Sequence, residues 1–174
     1  MPVIAITGLP GAGSTTIAEE LSKELGLRHY SVGREFKKLG SGMGESNQAL
    51  KALNAEGKEV HENLDEKQKR LAREGNIVID GKISVRMLKD LADLKVWVEC
   101  PIGIRAERTA KRDKISAQEA EETVKKREEK EKEVWERIYG FDYKEQKNEA
   151  DIIIDSSNHT ISEMVRLIKD KLNQ

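Results

Sequence analysis

Residues 8 to 16 read GLPGAGSTT. Glycines at 8 and 13 and a hydroxyl at 15 keep the spacing of the phosphate-holding loop G-x-x-x-x-G-K-[ST], but Ser14 stands where its lysine belongs. Glycine suits such a loop because it admits φ > 0 and lets a ligand approach the backbone. Successive N–H groups at a helix start then form a nest for an anion, and the Thr15 hydroxyl could bind the Mg²⁺ that phosphates bring. The loop lacks a full positive charge. Phosphoryl transfer depends mostly on positioning and charge neutralisation, so cations must reach the loop from elsewhere. The plain alternative is an ordinary strand-to-helix turn.

Several cations lie at suggestive places. Arg105, Arg108 and Arg112 recur at steps of three and four, with Lys111 and Lys114 among them. A helix expected over 116–138 has an apolar stripe of Ala120, Val124, Val134 and Ile138, and that stripe also carries Arg127 and Glu131. Charge on an inward stripe points to a ligand, or to a helix that is wet on both faces, as a lid is when open. Asp80-Gly81-Lys82 ends a strand pattern. Its carboxylate could orient a substrate or a water on Mg²⁺, and its lysine could meet a phosphate; the alternative is an Asp capping a helix from Ile83 onward. Lys37 lies on the first turns after another strand, facing the same region.

The elements that must hold these groups are legible. Apolar runs at 3–7, 29–32, 76–81, 94–99 and 152–154 read as five short strands. A helix over 15–25 ends at Gly26. Ser116 with Glu119 and Thr160 with Glu163 are capping boxes that open two later helices. Pro101 suits the first turn of the helix after the fourth strand. Gly40-Ser41-Gly42-Met43-Gly44 is a hinge or loop, flanked by helices carrying Phe36 and Leu39, then Leu50 and Leu53. Strands alternating with helices predict an α/β fold, a parallel sheet covered on both faces, with ligands at the carboxyl ends of the strands.

Composition narrows the class. The 174 residues suit one domain, 1–174, and the net charge of −1 argues against a broad nucleic-acid footprint. One cysteine, Cys100, permits no intrachain disulfide, and the three histidines are not at metal-ligand spacing. No run of 18 apolar residues exists and the N-terminus is unlike a signal peptide, so a cytoplasmic location away from membranes is expected.

The chain resembles the nucleoside monophosphate kinases, and more closely the short, archaeal-type cytidylate kinases. The resemblance rests on GLPGAGSTT at 8–16, SVGREFKKL at 31–39, LDEKQKRLAREGNIVIDGK at 64–82, RAERTAKRDKIS at 105–116 and KKREEKEKEVWERIYGFDY at 125–143, in the family's order. It implies a P-loop NTPase-type three-layer fold with a five-stranded parallel sheet, a helical monophosphate-binding insertion at about 33–75 and a lid at about 110–130. It implies ATP and Mg²⁺ as cofactors and CMP, with dCMP, as acceptors; the partners are small nucleotides and the protein is expected to be a monomer. Members of this short type are similar in having Ser or Thr at the lysine position.

By the same resemblance, Gly8, Leu9, Pro10, Gly11, Ala12, Gly13, Ser14, Thr15 and Thr16 hold ATP phosphates, with Thr15 on the metal. Arg108, Arg112 and Arg127 are lid arginines that neutralise the transferring phosphoryl group. Lys37, Asp80 and Lys82 bind the acceptor, Glu131 sits near its sugar, and residues 155–158 lie beside the adenine. Lys stands at 37 and 82 where the family has Arg, which loses the bidentate fork. Arg34 and Arg86, about one turn away, could restore it. Two other readings share these residues: a kinase for another acceptor such as AMP or UMP, and a nucleotide-binding sensor with little catalysis.

Overall fold

Four runs rich in valine and isoleucine and one polar run, Arg28–Ser31, form one sheet. In the computed structural model, which describes residues 2–38 and 58–174, the strands are β1 (Val3–Gly8), β2 (Arg28–Ser31), β3 (Ile77–Asp80), β4 (Leu94–Glu99) and β5 (Ile152–Asp155). Their order is β2-β3-β1-β4-β5 and every pairing is parallel. All six residues of β1 are buried. A central strand covered on both faces has no use for polar alternation, hence VIAITG.

Helices cover both faces. On one, α1 (Ser14–Leu25) and the last helix, α7 (Ile161–Leu172), bring Ile17, Leu21, Val165 and Ile168 against Ile4, Ile6, Val96 and Val98. On the other, α3 (Lys58–Glu74) and the segment around α4 (Ser84–Met87) bring Ala72 and Leu88 against Val3, Ala5, Ile77 and Ile79. A third cluster joins Phe36 of α2 (Val32–Lys38) to Trp97, to Val134 and Trp135 of α6 (Ala117–Tyr139), and to Tyr143 of a 3₁₀ turn at Tyr143–Glu149. The result is the expected three-layer α/β architecture.

Local signals set most helix ends. Gly26 takes φ 63°, and Leu27 N–H donates to Ser22 O at 2.8 Å, which closes α1. Both capping boxes form: Glu119 N–H donates to Ser116 Oγ at 3.2 Å, and Glu163 N–H to Thr160 Oγ1 at 3.3 Å. Pro101 lies one place earlier than expected. It is the N-cap of α5 (Ile102–Asp113), with extended ψ 144°. β2 starts at Arg28 because its N–H pairs with Asn76 O at 3.1 Å, and Val32 opens α2 instead of ending the strand. The glycine hinge at 40–44, and Leu39, Leu50 and Leu53, lie outside the described residues.

Gly81 sits where the chain leaves β3. A Cβ there would lie 2.5 Å from Ser84 Oγ and 2.9 Å from Val32 Cβ. Gly81→Ala is therefore expected to destabilise the fold by about 1–3 kcal/mol, as overpacking does. A urea melt matching wild type would show that α2 yields freely.

Candidate active site

The carboxyl ends of β1, β2 and β3 open into a cleft of about 750 Å³. β1 delivers the loop into it. Leu9 N–H donates to Val98 O at 3.1 Å and Ala12 N–H to Leu9 O at 3.0 Å, so the loop is held at its start and across its turn. Gly11 and Gly13 take φ 79° and 94°. A Cβ on Gly11 would also lie 3.1 Å from Arg105 O. Thus the glycines answer to backbone geometry and to a close neighbour. The loop's N–H groups lead directly into the first turn of α1.

Arginines of α5 hold the loop's outer side. Arg105 is buried; it donates through Nε to Cys100 O at 2.8 Å, and through Nη1 to Pro10 O at 3.2 Å and Glu128 at 2.8 Å. It braces the loop from behind. Arg108 donates to Ala12 O at 3.2 Å, to Ser156 Oγ at 2.9 Å and to Ser156 O at 2.8 Å. Ser156 Oγ also donates to Ala12 O at 2.7 Å. Arg108 therefore ties the loop to the turn after β5, while still lining the cleft. Ala12 is fully buried and offers the cleft no surface.

On the sheet side, Asp80 is buried and receives three donors. Thr15 Oγ1 donates to its Oδ2 at 2.7 Å, Ser31 Oγ to the same oxygen at 3.0 Å, and His29 Nε2 lies 2.6 Å from Oδ1. The helix-capping reading of Asp80 fails: Ile83 precedes α4, with no side-chain cap. A hydroxyl and a carboxylate meeting at the mouth of a phosphate loop suit Mg²⁺, a hard cation that completes its shell with phosphate oxygens and water. No group of three or more His, Cys, Asp or Glu among the described residues could hold a metal unaided.

The third element is a chain of alternating charge on the cleft wall. Lys82 Nζ donates to Gly8 O at 2.6 Å and lies 3.2 Å from Glu131 Oε2. That distance makes an ion pair, although the carboxylate oxygen is not aligned as a hydrogen-bond acceptor. Arg127 Nε donates to Glu131 Oε1 at 3.0 Å. Glu131 is buried, so it depends on both cations. Burial pushes the Lys82 ammonium down to about 8, against the pull of Glu131.

The far wall is aromatic. Phe36 and His61 ring centroids lie 4.9 Å apart, His61 meets Trp135 edge-on at 4.9 Å, and Tyr139 follows Trp135 at 5.8 Å. Burial, aided by Arg137, pushes His61 down to about 4, so it is neutral near pH 7. Burial raises the Asp65 carboxyl, which accepts from Tyr139 Oη and from Gln68 Nε2. Arg34 and Lys37 line the same end.

The cleft thus gathers Gly8, Leu9, Pro10, Gly11, Gly13, Ser14, Thr15 and Thr16 with Lys37, Asp80, Lys82, Arg108, Arg112, Arg127 and Glu131. Arg86 does not join them. Its Nε donates to Glu149 at 2.8 Å and its guanidinium stacks 3.8 Å from the Phe141 ring centroid. The short helix α4 turns it toward the 3₁₀ segment, away from the cleft. His29, Ser31, His61, Asp65, Trp135 and Tyr139 were not foreseen as site residues. One signal was available: Trp135 and Tyr139 stand one and two turns beyond Glu131 on its own stripe.

Comparison with known proteins agrees with this geometry. The model of the "cytidylate kinase-like family" matches residues 3–158. A cytidylate kinase of Methanopyrus kandleri is 30% identical, covering 96% of this chain and 91% of that protein. One of Methanocaldococcus jannaschii is 31% identical, covering 98% and 97%. Among solved structures, a shikimate kinase of Bacteroides thetaiotaomicron superposes with a TM-score of 0.67 at 14% identity, covering 99% of each chain, which speaks for the fold alone.

Proposed function

The chain belongs to the cytidylate kinase-like family, and from that premise we propose that it transfers the γ-phosphoryl group of ATP to CMP, and to dCMP, giving the diphosphate and ADP. The observation carrying this is the convergence of a phosphate loop, a buried acidic residue at Thr15 and a wall of cations in one cleft that also has an aromatic end.

In this reading the loop amides hold the ATP β- and γ-phosphates, and Arg108 keeps the loop in shape by gripping Ala12 O. Thr15 and Asp80 would hold Mg²⁺, which supplies positive charge at the β- and γ-oxygens. Arg34 and Lys37 receive the acceptor phosphate from α2, and Phe36, Trp135 and Tyr139 flank its base. An oxygen of the acceptor phosphate attacks the γ-phosphorus in line. The bond from that phosphorus to the β–γ bridging oxygen breaks, and its electron pair leaves on ADP. Arg112 and Arg127 neutralise the charge on the moving group. They stand on either side of the turn at Lys114, in the segment 110–130 proposed as the lid. No covalent enzyme intermediate is needed. No helix among the described residues is long and apolar enough to cross a membrane.

A coupled ADP-release assay with ATP, Mg²⁺ and a panel of monophosphates tests the proposal. CMP and dCMP are expected to give the highest kcat/KM. Preference for AMP or UMP would move the reading to another acceptor, and ATP binding without turnover on any monophosphate would favour the sensor.

A further inference from the structure

We propose that Lys82 is the cation the loop lacks: its ammonium, arriving from the end of β3, serves the β- and γ-phosphates of ATP in place of a lysine at position 14. The inference rests on the phosphotransfer reading and reassigns Lys82 from the acceptor to the donor.

The sheet register makes the delivery possible. Ile6 on β1 pairs with Asp80 on β3. β3 ends there while β1 runs on to Gly8, paired with Val98 of β4, and Gly81 N–H still donates to Ile6 O at 3.1 Å, which carries Lys82 alongside Gly8. From there Nζ reaches Gly8 O, the first carbonyl of the loop, at 2.6 Å. The anchor therefore lies on the ATP side of the cleft. Lys37 lies on α2 next to Phe36 of the aromatic wall, while Arg34 of the same helix pairs with Glu19 of α1.

An ammonium has three N–H donors. One goes to Gly8 O, and Glu131 Oε2 lies 3.2 Å away as an ion-pair partner without accepting a hydrogen bond. N–H donors thus remain for the cleft that Lys82 lines. The backbone is also pinned, since Gln146 Nε2 donates to Lys82 O at 3.0 Å. The Tyr143 ring lies beneath the ammonium, 5.5 Å from Nζ to its centroid. The side chain is thus aimed before any ligand arrives. Ser14 can be neutral because the charge comes from the neighbouring strand.

The test is a set of binding titrations with a non-hydrolysable ATP analogue and, separately, with CMP, on wild type, Lys82→Met, Ser14→Lys and the double variant. Lys82→Met is expected to weaken the ATP analogue by about 10–100-fold, as loss of a charged hydrogen bond does, while CMP affinity holds. Retained CMP binding also reports that the fold survives. Adding Ser14→Lys to Lys82→Met is expected to recover most of the lost affinity. Three results would overturn the inference: weakened CMP with unchanged analogue, equal analogue affinity in wild type and Lys82→Met, or lost analogue affinity that Ser14→Lys leaves unrepaired. None depends on turnover. Failure of the kinase reading is a separate result, wild type that phosphorylates no monophosphate.

Discussion

Arg127→Ala is expected to lower kcat by about 10³-fold or more, the range over which an arginine at a transferring phosphoryl group acts. Ser14→Ala should leave kcat within the same order of magnitude. The contrast follows from where charge sits. Ser14 contributes a backbone amide to the loop, and alanine keeps it. Arg127 lies on the cleft wall of α6 and its guanidinium shares Glu131 with Lys82. Removing it takes away a cation and leaves a buried carboxylate with one partner. Glu131 would then pull harder on Lys82, away from Gly8 O. The expected signature is a large fall in kcat with a smaller rise in the ATP KM. Arg127→Lys should recover a minority of the lost rate, because it restores charge without the fork. Near-normal turnover in Arg127→Ala would remove this residue from the chemistry.

Asp80→Asn is expected to shift the Mg²⁺ dependence of activity upward by about 10–100-fold, the usual cost of disturbing a metal ligand or its support. Thr15 and Ser31 both donate to one oxygen of Asp80, and His29 approaches the other at 2.6 Å. An amide has one acceptor atom where the carboxylate has two, so at least one donor must face an NH₂ group. That mismatch alone is worth about 1–3 kcal/mol. The variant should therefore also melt earlier than wild type. Saturating Mg²⁺ should recover rate but not stability. An unchanged Mg²⁺ titration would show that Asp80 only fastens the loop to β2.

How much of this could be read from the sequence divides by range. The five strands, the C-cap at Gly26 and the capping boxes at Ser116 and Thr160 depend on neighbours within a few residues. Each appears as expected, shifted by a residue or two at the ends. Asp80 could be found because strand ends are where such folds place ligands. Its partners His29 and Ser31 could not, since they meet it only through the pairing of β2 with β3. Arg86 shows the opposite failure. Spacing put it one turn from Lys82, but a four-residue helix does not fix which way a side chain faces. Arg108 shows a subtler one: the sequence offered a cation for the phosphates, and in the structure it is also a brace between two loops.

The alternation Lys82–Glu131–Arg127 has a consequence for how this chain can change over generations. The three positions form one unit, so their substitutions will not be independent. Lys82→Arg, harmless by ordinary similarity, must seat a planar fork where a compact ammonium now meets Gly8 O. Glu131→Gln strands two positive charges beside each other. Either change is expected to cost more alone than alongside a matching change at the positions it contacts. A library that varies 14, 82, 127 and 131 together should recover active combinations that single-site scanning discards.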